Sequence, residues 1–188
     1  MKKLVVLLAW LIGSVLFGIA TKLLDSVPFF GDVFTRMGIW VLIATAIAAY
    51  SKTAIRAAVH TFLFFLGMLI GYYMYSAHLF GVYSTNDMKY WGAVAVFTPF
   101  LAVVVWYAKN GRCLASFLPA LPMGLMLSLS LGIGLFYLHV NYLEEFIMYI
   151  ILCAIFYRNF KQLTMVIILS IMVTGVIELT PLYWFFIF

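Results

Sequence analysis

Seven apolar runs, near residues 4–24, 36–51, 57–77, 90–108, 113–138, 141–157 and 163–180, leave only short polar turns between them. Most come close to the ~20 residues that a helix needs to cross a bilayer core. Lipid offers the backbone no hydrogen-bond partners, so a run of this kind must satisfy its peptide groups within itself, as a helix does. A membrane barrel would instead read as short alternating segments. The expected fold is all-α: a polytopic membrane helical bundle of seven spans, one transmembrane domain over residues 1–188. Charged residues make up 9% of the chain, against about a quarter in soluble domains, which excludes a water-soluble globule.

The net charge of +5 would point a soluble chain toward nucleic acid. Its distribution here points to the bilayer. With the N-terminus inside, one side collects Lys2, Lys3, Lys52, Arg56, Lys109, Arg112, Arg158 and Lys161, and no acid. The other side collects Asp25, Asp32, Asp87, Glu144, Glu145 and Glu178 against Lys22, Arg36 and Lys89. Lys/Arg bias in short loops sets orientation, so the expected topology is N-terminus cytoplasmic and C-terminus outside. Cys113 and Cys153 fall near the cytoplasmic ends of their spans, where a disulfide is not expected. Lys2 and Lys3 before an apolar run resemble a secretory signal, but the run continues to Leu24, and a retained first span is expected.

One spelling occurs three times. Ser14-x-x-x-Gly18 is followed by Asp25, Gly67-x-x-x-Gly71 by His78, and Ser128-x-x-x-Gly132 by His139, each polar residue lying seven after the second small one. On a helix a step of seven returns to nearly the same face, and small residues four apart form a packing seam in membranes. The pattern predicts three parallel hairpins plus a closing helix, with spans one, three and five packed through Ser14, Gly18, Gly67, Gly71, Ser128 and Gly132. Asp25, His78 and His139 would then converge at the outer end, with Glu144, Glu145 and Glu178 as neighbours, as a site for a small solute. The plainer expectation is that polar residues collect wherever a helix leaves the bilayer.

Other features fit either reading. Trp40 is expected as an interfacial anchor, Phe29 and Phe30 as part of a segment lying in the interface, and the tail Leu182–Phe188 as an aromatic lip there. Tyr72, Tyr73 and Tyr75 read first as an aromatic belt and second as a wall around a solute. His60 reads as a hydrogen-bonded interfacial residue. Pro99 predicts a kink, and Pro119 with Pro122 makes span five the one expected to be discontinuous. There is no HExxH, CxxC, P-loop or GxSxG pattern, so neither cofactor nor metal is expected, and an enzyme is the weakest class.

Gly38-x-Trp40, the small-residue run to Ala49, the basic turn with Lys52 and Arg56-Ala57-Ala58, and Gly67 with Gly71-Tyr72-Tyr73 resemble a family of uncharacterised small bacterial integral membrane proteins. The resemblance implies no activity. Size and span count also resemble the substrate-binding subunits of energy-coupling-factor vitamin transporters, which usually have six spans and an alanine pair where Ser14 and Gly18 stand here. Three functions are therefore expected in order: a solute-binding or transport protein of a bacterial cytoplasmic membrane, a partner subunit of a larger complex such as one with an ABC-type ATPase, and an intramembrane enzyme. Lipid is the first partner in all three, and nucleic acid in none.

Overall fold

A computed structural model describes residues 2–111, 116–133, 138–140 and 142–180 of the chain. Arg112, Cys113 and the tail after residue 180 lie outside them. The order is α1 (Lys2–Leu24), α2 (Pro28–Thr35), α3 (Met37–Ala49), α4 (Ala54–Phe80), α5 (Thr85–Asn110), α6 (Phe117–Ser130), a hairpin of β1 (Leu131–Ile133) and β2 (Leu138–Val140), α7 (Leu143–Phe156) and α8 (Phe160–Glu178). Among the described residues four helices are long and apolar enough to cross a membrane: Val5–Leu24 of α1, α4, α5 and α8. The pair α2–α3, bent by 65°, makes a fifth if taken as one broken span. Membrane character and a helical bundle are thus apparent. Seven spans of equal standing are not, because α6 and α7 have 14 residues each, about 21 Å at 1.5 Å per residue, against a ~30 Å core.

Local chemistry explains the helix limits. Thr53, Ser84 and Asn159 accept hydrogen bonds from the backbone N–H groups of Arg56, Asp87 and Gln162 and so cap α4, α5 and α8. Gly81, at φ 70°, closes α4 in the left-handed conformation that glycine adopts without a Cβ penalty. Pro99 removes the N–H that would have bonded the Ala95 carbonyl, four residues back. The Thr98 hydroxyl donates to that same carbonyl at 2.7 Å, so α5 passes through its proline with the freed group satisfied.

Span five departs from expectation. Pro119 sits in the first turn of α6, where a missing N–H costs nothing, and the helix runs on through Pro122. It ends instead at Ser130. From Leu127 the chain reads Leu-Ser-Leu-Ser-Leu-Gly-Ile-Gly, a period of two that suits a strand, and each of its glycines weakens a helix by about 1 kcal/mol. Gly132 faces His139 across the antiparallel ladder. Ser128, Gly132 and His139 therefore do not form one helical stripe, and the third copy of the repeat is no packing seam of the expected kind.

Two packing units share the bundle. In the first, α1 lies along α4 in parallel: Trp10 Nε1 donates to the His60 carbonyl at 2.8 Å, Ser14 Oγ reaches the Leu63 carbonyl at 3.2 Å, and Tyr72 bonds Asp25. A Cβ on Gly18 would land on the Met68 carbonyl, one on Gly67 on Ser14 Oγ, and one on Gly71 on the Val15 carbonyl. The small residues of the first two repeats thus bring two backbones into contact. In the second unit α6 packs on α8 and α7. There a Cβ on Gly124 would meet the Val173 side chain at 2.6 Å, Thr174 Oγ1 bonds the Gly124 carbonyl at 3.0 Å, and the Tyr149 hydroxyl pairs with Ser170 Oγ at 2.9 Å. Both α3 and α5 join the units.

The turns segregate by charge. At one end Trp106 donates to Ser51, Asn110 to Ala49, Lys109 to Ile155, and Arg158 to Ala108 and Lys109. At the other end Arg36 meets Glu144 and Glu145, and Lys22 meets Asp25.

Candidate functional site

At the acidic end, α4 and α5 with the ends of α1, α2 and α3 line an open-mouthed cavity of about 310 Å³. Its walls are largely aromatic: Phe34, Trp40, Tyr72, Tyr73 and Trp91. Among the polar lining, Ser76 is buried, whereas Ser84 and Asp87 are exposed and form the rim. Trp40, expected as an anchor in the interface, is instead buried at 4% exposure. Its indole N–H is held by the Phe34 carbonyl at 2.9 Å, and its ring meets those of Phe17, Phe34 and Trp91 at centroid distances of 6.3, 6.0 and 6.5 Å. Tyr73 is wedged between Tyr72 and Tyr83 at 5.3 and 5.8 Å. Rings packed on rings have little rotamer freedom, so the wall is formed before any ligand arrives.

The charges around the cavity are unequally satisfied. Lys22 Nζ lies 2.9 Å from Asp25 Oδ2, and the Tyr72 hydroxyl donates to the same oxygen at 2.7 Å. The same ammonium stands 4.8 Å from the Tyr72 ring centroid, within cation–π range. The Asp25 charge is therefore paired through Oδ2, while its Oδ1 is buried without a hydrogen bond among the described residues. Asp87 differs: its backbone N–H is capped by Ser84 at 3.3 Å, but its carboxylate forms no hydrogen bond or ion pair among the described residues.

A second cluster stands on α2, α3 and α7. Arg36 Nη1 lies 3.0 Å from Glu145 and 3.6 Å from Glu144, with its guanidinium 4.1 Å from the Tyr142 ring centroid. Glu145 is 2% exposed, and it fits because Gly38 has no side chain: a Cβ there would stand 2.7 Å from Glu145 Cγ. This cluster joins the bend between α2 and α3 to the first turn of α7.

The structure does not bring the expected outer residues together as one site. Asp25 touches the cavity through Lys22 and Tyr72. His78 is exposed near Tyr75, at 6.4 Å between rings, and His139 is placed only by its backbone, on β2. The cause is α6, which packs on α8 and α7 and has no packing face on α1 or α4 among the described residues. Glu144 and Glu145 belong to the Arg36 cluster, and Glu178 stands at the end of α8 with Oε1 buried and, among the described residues, unbonded. Among the described residues no three of His, Cys, Asp and Glu group closely enough to share a metal ion. Of the tyrosines, Tyr72 and Tyr73 line the cavity. The sequence reading missed Trp40, Trp91, Ser76 and Asp87; a signal was present in aromatic residues at the outer ends of three successive spans.

Comparison with models of known families, with curated proteins and with solved structures finds no match.

Proposed function

We propose that this is a small-solute binding or transport protein of a bacterial cytoplasmic membrane, crossing it seven times with the N-terminus inside, and that its site is the aromatic cavity. The observation that carries the reading is that cavity of about 310 Å³, within the ~300–1,000 Å³ range of small-molecule sites. It lies at the end of the bundle that collects the acids. Lys/Arg-rich turns stay in the cytoplasm, so that end faces outward. The short helices α6 and α7 make the fifth and sixth crossings together with the hairpin between them, whose strands bond each other and so leave fewer bare peptide groups in lipid.

Accessibility of Ser76 tests this. In a variant with Cys113 and Cys153 replaced, Ser76→Cys is expected to react with a membrane-impermeant thiol reagent added outside intact cells, and bound solute is expected to slow that reaction. Labelling of Ser76→Cys only from the cytoplasmic side would overturn both the orientation and the outward site.

A further inference from the structure

Resting on the reading of the cavity as a solute site, we infer that its ligand is a small organic ammonium ion, held between the π faces of Trp40, Trp91 and Tyr73 and the carboxylate of Asp87. The charge balance selects the class. Lys22 and Asp25 neutralise each other across 2.9 Å, whereas Asp87, which also lines the cavity, has no cationic partner among the described residues. The rim of the cavity thus carries one carboxylate with no ion-pair partner among the described residues. An anion would meet that charge and the negative ring faces together. A neutral solute would leave the carboxylate unused.

The walls select the same class. Aromatic faces attract cations, most strongly where water is excluded, and the Trp40 N–H is already bonded to Phe34, so that indole offers its ring and not its donor. The Lys22 ammonium over Tyr72, at 4.8 Å, is a cation already seated on one ring of this wall. Asp87 also sits in the first turn of α5, where a carboxylate favours the helix start. That role keeps it in place and leaves its oxygens free for a ligand.

The probes are choline and its uncharged carbon isostere 3,3-dimethylbutan-1-ol, tested on the full chain in liposomes by protection of Ser76→Cys from labelling. Choline is expected to protect at concentrations about tenfold below the isostere, the size of a cation–π contact together with a rim charge contact. Asp87→Asn, which keeps the side-chain shape and the Ser84 cap, is expected to abolish that preference. Equal protection by both compounds, or a preference unchanged in Asp87→Asn, would overturn the ammonium assignment while the solute site stands. Labelling from outside with protection by neither would also overturn it. Absence of outside labelling would instead remove the outward site itself.

Discussion

Replacing Arg36 by Met should destabilise the protein more than any conservative change of its partner. Glu145 is 2% exposed and, among the described residues, its one direct cation is Arg36, 3.0 Å away. At an effective dielectric of about 20, two unit charges at that separation attract by about 5.5 kcal/mol. The variant need not lose so much, because Glu145 can take up a proton. From the ordinary glutamate value of ~4.3, protonation at pH 7 costs about 3.7 kcal/mol, and this smaller figure is the ceiling. Some water reaches the cluster, since Arg36 and Glu144 are 20% and 32% exposed. The expected loss is therefore about 3 kcal/mol, or about 6–12 °C in Tm at ~2–4 °C per kcal/mol. Protonation becomes easier as pH falls, so the deficit should shrink by up to about 1.4 kcal/mol per pH unit between pH 7 and pH 5.

Glu145→Gln removes the buried charge and leaves Arg36 with Glu144 at 3.6 Å, so it should cost under about 1 kcal/mol. Adding Glu145→Gln to Arg36→Met should recover most of the loss. Thermal unfolding of the four proteins in one detergent at pH 7 and pH 5 measures all of this. An Arg36→Met loss no greater than that of Glu145→Gln, additive losses in the double variant, or a deficit that grows on acidification would refute the reasoning.

Gly71→Val should cost about 1–3 kcal/mol by overpacking, because its Cβ meets the Val15 backbone carbonyl and not a movable side chain; Gly13→Ala, with nothing within 4 Å, should leave Tm unchanged or raise it. Thr174→Val removes the donor to the Gly124 carbonyl and should lower stability by about 0.6–1.7 kcal/mol, read from the same melts. His78→Ala should change neither Tm nor protection of Ser76→Cys by solute, since His78 is exposed and outside the cavity lining; a loss of protection would return it to the site.

Parts of the fold were legible for reasons that are local. Apolar runs of helical length and the small residues four apart, Ser14 with Gly18 and Gly67 with Gly71, each depend on residues a few positions apart. The strand pattern after Leu127 was local too, but it was hidden inside an apolar run, where helix and strand look alike by composition.

Sequence by itself determined the solvent, the helical backbone and the segregation of charge between the two ends, because lipid imposes one rule on every peptide group and Lys/Arg placement is written residue by residue. Beyond the α1–α4 seam, tertiary structure alone decided which helices are neighbours. Arg36 and Glu145 stand 109 residues apart, α6 turned to α8 and α7 and away from α1 and α4, and the aromatic wall drew on α2, α3, α4 and α5. Outer-end polar residues are common to most of these helices. Only packing selects those that face one another, which is why Asp87 lines the cavity with Trp91 and Tyr73 while His78 stands outside it.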